Sequence, residues 1–280
     1  MYKKFKLKSS VLNIFNHVIS ADIPDSHLVY ANKPSDKIKQ AIYETANGDI
    51  SSEALIDFLF PEEKTPHIFI SHSSKDMKLA IRLANKIYNE SGIISFIDSQ
   101  VWNHIDLAID TMHKDYCRIP DTKSYYYTKS NILLSNLYSL LSMSLMDVMD
   151  RSDSVIFIES QNSTIDKIMD SDKWNTGEDL SSSEATYSPW IYSEINYANK
   201  LRINYHKDRT SMMLESVEKR AGLELHANDA MPKFRHPIDI SEFDEITLSS
   251  LCNAMEQFKN RHNPIKNLDL LYKLISDDNK

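Results

Sequence analysis

Apolar residues fall along this chain in short runs joined by stretches of helical spacing. "HIFIS", residues 67–71, is a compact apolar run that passes straight into the polar turn "HSSKD". Leu79, Ala80, Leu83, Ala84, Ile87 and Tyr88 then recur at helical spacing as far as Gly92. That spacing predicts an amphipathic helix ended by a glycine. Ser73 and Asp76 are spaced as in a capping box, which would start this helix near Ser74. "IISFID", closing on Asp98, reads as a second strand. Strand, helix and strand in this order predict parallel strands joined by a right-handed crossover.

Residues 99–130 show no clear period, and "YCRIPDTKSYYYTKS" reads as a Tyr-rich loop. Leu134, Leu137, Leu141, Leu145 and Met149 form one stripe of a long helix, Asn131–Met149, whose scarcity of charge predicts cover on most sides. "SVIFIES", residues 154–160, is a buried strand by its continuous apolar run. Residues 161–187 are polar and irregular. Ser188 and Pro189 stand at N-cap and N1 of the helix "SPWIYSEINYANKL". "HPIDIS" reads as a last strand, residues 242–259 as a closing amphipathic helix, and the end of the chain as a short helix and tail. Upstream, "SDKIKQAIYETANG" has helical spacing between Ser35 and Gly48, and "SSEALIDFLFPEE" forms a second helix stopped before Pro61. The expected organisation is a helical N-terminal extension over 1–62, an α/β domain over 63–262, and a C-terminal helix or tail over 263–280.

Composition narrows the function. The chain has 280 residues, 41% hydrophobic and 26% charged, which is ordinary for a globular protein. With 4 Gly it has neither a GxGxxG nor a GxxxxGK[ST] loop, which argues against a Rossmann dehydrogenase or a P-loop NTPase. A net charge of −8 argues against nucleic acid as partner. Cys117 and Cys252 make no disulfide framework and fit a reducing compartment. The basic start lacks a signal-peptide cleavage site, and the charge-free run 130–146 is short and rich in Ser and Asn. The reading is cytoplasmic, without membrane association.

Several residues could carry chemistry. Trp190 and Glu194 are four apart on one helix face, with Ile191, Tyr192, Ile195 and Tyr197 around the acid. A carboxylate in such company would have a raised pKa, as an acid/base or cation-stabilising group needs; the bland alternative is a solvated Glu beside a core Trp. Ser71, His72, Ser73 and Ser74 follow a strand at a helix start, which suits phosphate binding or plain capping. Asp98 closes a strand, where it would meet a ribose hydroxyl or form a turn. Tyr125, Tyr126 and Tyr127 would stack on a ring or pack a loop. His113 and Cys117, with His104 nearby, have no second ligand pair, so no metal site is expected. No GxSxG elbow is present, and no Ser-His-Asp order can be argued from the sequence.

Taken together, "IFISHSSKD", "GIISFID", "MDRSDSVIFIESQNS" and "SPWIYSEINYANK" resemble, in order, four boxes of the Toll/interleukin-1 receptor (TIR) domain family, over residues ~65 to 255. The resemblance implies a three-layer, flavodoxin-like parallel sheet flanked by helices, with the run 154–160 as its fourth strand. It implies NAD+ as substrate rather than cofactor, cleaved at the nicotinamide–ribose bond to ADP-ribose or a cyclic product. Glu194 matches the catalytic Glu, which would hold the ribose hydroxyls and stabilise the oxocarbenium-like state. Trp190, Ser71, His72, Phe96 and Asp98 match substrate-binding positions. Homo-oligomerisation, a separate effector or sensor protein and a place in antiphage defence signalling are implied in the same way. Two departures stand out. "SQVWNHIDLAIDTMHKDY" replaces the family's Gly-containing loop, and "TIDKIMDSDKWNTGEDLSSSEATY" lengthens the approach to the Trp-Glu box. A non-catalytic TIR scaffold is the main alternative, and a nucleoside deoxyribosyltransferase-like enzyme that ignores NAD+ is the third.

Overall fold

A computed structural model describes residues 3–14, 50–60, 65–165, 184–201, 236–258 and 263–279. In chain order the elements are β1 (Lys3–Lys8), α1 (Ser9–Ile14), α2 (Ser52–Leu59), β2 (Ile68–Ser71), a 3-10 turn (Ser74–Asp76), α3 (Met77–Ser91), β3 (Ser95–Ile97) and α4 (Ser99–Met112). A π turn (His113–Cys117), α5 (Tyr127–Arg151), β4 (Ser154–Glu159), β5 (Ala185–Thr186), α6 (Pro189–Lys200), β6 (His236–Pro237), β7 (Asp244–Glu245), α7 (Leu248–Gln257) and α8 (Pro264–Asp278) complete them.

Five strands form one sheet in the order β3-β2-β4-β1-β7, and every pairing in it is parallel. Strand alternation divides the core in two. Phe69, Phe96, Val155 and Phe157 face a layer that holds Leu55 of α2, Ile105 of α4, Leu141 of α5 and Ile191 of α6. Ile68, Ile70, Ile97, Ile156 and Ile158 face the opposite layer, with Leu12, Leu83, Leu251 and Leu271. The chain is therefore α/β, with helices on both faces of a parallel sheet, as such sheets require. This architecture is compatible with the flavodoxin-like expectation.

The start of the chain differs from the expected helical extension. Lys3–Lys8 is a strand, paired along its length with β4 and flanked on its other side by β7. Phe5 and Leu7 are buried, and the lysines are less so. Lys3, Lys4 and Lys8 meet Asp244, Glu242 and Glu245 from the β7 side. The alternation "KKFKLK" was present in the sequence, but a run of lysines suggests a solvated leader unless an acidic partner is known. β4, fourth in chain order, lies third in the sheet, between β2 and β1. The Ser35–Gly48 helix lies outside the described residues.

Other expectations are also corrected. The segment 99–117, which shows no clear period in the sequence, is helix α4 followed by the π turn. "HPIDIS" contributes only β6, which pairs antiparallel with β5 in a separate ribbon, and the last strand of the sheet is β7. The closing helix is therefore shorter than 242–259. The 15-residue α8 is no tail, since Leu268, Leu271, Tyr272 and Ile275 are buried. Long helix α5 buries Leu137, Leu141, Leu145, Val148 and Met149, but Ile132 and Met143 are more than half exposed, so it is not covered on most sides. By length and composition alone, α5 could cross a membrane, and one third of its most apolar window is buried. Its inward stripe is part of the core between sheet and helices. The Gly92 stop holds, with φ 76° in the left-handed region.

Phe5 is 1% exposed, and its ring centroid lies 5.3 Å from that of Tyr272. Phe5→Ala should cost ~3–5 kcal/mol in denaturant unfolding. An N-terminal appendage would give no measurable change.

A buried carboxyl at the sheet edge

The helix that carries the site is fixed at its start. The Ser188 side chain accepts the Ile191 N–H at 3.3 Å, and Pro189 occupies the first turn, as expected. This start phases α6 so that Ile191, Glu194, Ile195 and Ala198 form its buried stripe. On β2, alternation places Ser71 on the same side as Phe69, toward this helix layer. The two meet: Ser71 Oγ donates to Glu194 Oε2 at 2.5 Å. Glu194 is 5% exposed, and its Oε1 is buried with no hydrogen-bond partner among the described residues. Burial, and after it the negative charge of Asp98, push the Glu194 carboxyl well above the ordinary carboxylate range. The Ser71 hydrogen bond opposes them.

A second polar array lies on the same edge. The His72 ring places Nε2 2.8 Å from Ser99 Oγ, and Nδ1 3.2 Å from both Ile70 O and Asp98 Oδ1. Asp98 caps α4 and accepts the Ser99 N–H at 2.7 Å. A third array joins the turns after β2 and β4: Asp76 accepts from Ser160 Oγ at 2.5 Å and from Asn162 Nδ2 at 2.8 Å. Asp76 thus braces two turns. The expected Ser73–Asp76 capping box is absent, because Ser73 makes no side-chain cap.

The structure therefore brings Ser71, His72, Asp98 and Glu194 together at the carboxyl ends of β2 and β3, where open α/β sheets hold ligands. Trp190 sits one turn before Glu194, half-buried, its ring 6.2 Å from that of Tyr138. With Leu145, Met149 and Tyr197, Trp190 and Glu194 line a cavity of about 10 Å3 between α5 and α6. Phe96 does not join the site. It has no exposed surface and stacks in the core between Phe69 and Phe60, at 5.2 and 6.3 Å. Tyr125, Tyr126 and Tyr127 are 40–79% exposed and pack no loop interior. The His113 ring is tilted against that of Tyr125 at 5.3 Å, Cys117 is buried, and no group of three metal-ligating side chains occurs among the described residues. Ser99, Ser160 and Asn162 were not singled out by sequence. Ser99 follows directly on Asp98 before the unread helix α4, and that adjacency was the available signal.

A buried carboxyl with a raised pKa and one unengaged oxygen can donate a proton when protonated or stabilise a positive charge when ionised. No protein-family model, curated protein or solved structure matches this chain.

The raised Glu194 pKa fixes a pH dependence. The folded state holds this proton more tightly than the unfolded chain does, so its contribution is fully present below the unfolded value, near 4.5, and is lost as pH rises through the higher folded value. Glu194→Gln should remove the trend. Unfolding free energies measured from pH 4 upward should show wild type losing stability relative to the variant. Parallel curves would mean that Glu194 is an ordinary carboxylate.

Proposed function

We propose that the protein is a TIR-like NAD+ nucleosidase that cleaves the nicotinamide–ribose bond, with Glu194 as its catalytic residue. The observation that carries this reading is the buried Glu194 carboxyl, joined to Ser71 at the sheet edge with Oε1 unengaged. The four-box resemblance supports it by matching Glu194, Trp190, Ser71, His72 and Asp98 to one site. NAD+ brings a cationic nicotinamide ring. A positive charge beside Glu194 opposes the burial and the Asp98 repulsion that raise its pKa, and so favours the ionised carboxylate while substrate is bound. The anion then favours the oxocarbenium-like state, in which positive charge moves onto the ribose. No acid is needed at the leaving group, because nicotinamide departs neutral.

The cavity beside Glu194, about 10 Å3, has room for about one water and is far below the ~300–1,000 Å3 of sites that enclose a small ligand. On this reading α5 and α6 part to admit the dinucleotide, or a second copy of the chain completes the site. Self-association follows the family resemblance, as do a separate effector or sensor protein and a role in antiphage defence. The closed pocket is also what a non-catalytic scaffold would show, and this makes the scaffold the second reading.

NAD+ consumption by concentrated protein, with products separated by chromatography and mass spectrometry, tests the proposal. Glu194→Gln should lower kcat about 10²–10³-fold with the fold intact. Product mass then separates hydrolysis from cyclisation. No turnover at any concentration, under forced assembly as well, would transfer the assignment to the scaffold.

A further inference from the structure

Ser99 is the member of the sheet-edge cluster that neither the sequence pattern nor the resemblance picks out. His72 Nδ1 faces two acceptors, Ile70 O and Asp98 Oδ1, each at 3.2 Å. A nitrogen so placed carries the ring hydrogen, and the neutral ring then has a lone pair on Nε2. Ser99 Oγ, 2.8 Å away, donates to it. No other side chain is hydrogen-bonded to Nε2 among the described residues. The Ser99 backbone N–H also binds Asp98 Oδ1 at 2.7 Å, so one residue holds both the ring and the carboxylate.

We propose that Ser99 is a positioning residue: by holding the His72 ring it fixes the Asp98 carboxylate on the sheet edge that carries Ser71 and Glu194. The same order of groups would suit a serine nucleophile. Ser99 is only 7% exposed and does not line the pocket beside Glu194, so its hydroxyl acts as a strut. The charged surroundings of Glu194 make the consequence specific. From β2 it meets the Ser71 hydroxyl, and the next residue, His72, meets Asp98. The α5 wall presents Ser142, Leu145 and Met149, which carry no charge. Asp147 and Asp150 of α5 act on Tyr197, further along α6. After burial, the charge of Asp98 raises the Glu194 pKa, so whatever holds Asp98 contributes to that shift.

The inference rests on Glu194 being the acting group of the proposed NAD+ cleavage, but its test does not use turnover. Glutamate labelled at the side-chain carboxyl would be followed by carbon NMR through a pH titration, with the Glu194 signal assigned by its loss in Glu194→Gln. The Glu194 midpoint should fall toward the ordinary range in Asp98→Asn and in Ser99→Ala. It should stay at the wild-type position in Ser99→Thr, which keeps the hydroxyl. Ser99→Ala should add nothing in the Asp98→Asn background, since both act through one carboxylate. A Ser99→Ala titration identical to wild type, with Asp98→Asn shifted, would overturn the positioning role. An unmoved Asp98→Asn titration would overturn it too. The wild-type His72 nitrogen spectrum gives a second measurement that needs no variant: a neutral ring protonated on Nε2 instead of Nδ1 contradicts the arrangement. Titrations that move as expected in a protein without NAD+ turnover would sink the proposed activity alone. Turnover with unmoved titrations would sink this inference alone.

Discussion

The hydrogen bond from Ser71 Oγ to Glu194 Oε2 spans 123 residues of sequence and joins the end of a central strand to the inner face of a helix. Its geometry depends on two phases being right together. Strand alternation must turn Ser71 toward the helix layer, and the α6 start at Ser188 must turn Glu194 inward. A one-residue slip in β2 would turn Ser71 to the opposite face. The polar arrays around this bond tie down the remaining freedom. His72 joins the ends of β2 and β3, and Asp76 joins the turns after β2 and β4. Three neighbouring strand ends are thus held as one edge on which a carboxyl can be buried.

The N-terminal strand gives that edge its support. β4 lies between β2 and β1, and all six β1 residues pair with it. Without β1, β4 would be an edge strand with unpaired backbone groups. The layer behind it also depends on distant chain segments: Tyr272 of α8 donates to the fully buried Asp153 at 2.5 Å, and Asn267 donates to Ser91 O at 2.8 Å. Both ends of the chain are therefore bound into the core of the α/β unit, rather than appended to it.

What could be read from sequence followed the strength of the local signal. β2 and β4 had continuous apolar runs, and α3 and α6 a helical period with a marked stop or start; both strands and α6 formed where expected, and α3 ended at Gly92 as expected but began after a 3-10 turn over Ser74–Asp76. Glu194 was legible because it interrupts an apolar stripe on a helix with marked ends. β1 was misread because its buried positions number two, and its lysines find their acidic partners more than 230 residues later. β7 was hidden for a related reason: Asp244 and Glu245 have no apolar pattern, and pairing with β1 makes them a strand. Phe96 shows the limit of carrying a role across by resemblance. Its place at a strand end was right, but the side chain turns into the core, where Phe60 of the segment after α2 stacks on it. The link between His72 and Ser99 crosses two strand ends, and no local pattern encodes it.

The inward stripe of α6 sharpens the meaning of Glu194. Ile191, Ile195 and Ala198 bury apolar surface around it, and an apolar residue at 194 would continue the stripe with no desolvation penalty. The chain instead places an acid there and satisfies one of its two oxygens. A purely structural buried acid is normally engaged on both, as Asp76 is by Ser160 and Asn162 on the same edge. The two acids differ in another respect: Asp76 ties two turns together, whereas Glu194 lines the cavity beside Trp190 with one oxygen unengaged. Local departures from the most stable choice concentrate where a protein acts. On this sheet edge the departure is at Glu194, and the groups that set its charge, Ser71 and Asp98, are themselves held in place by the fold.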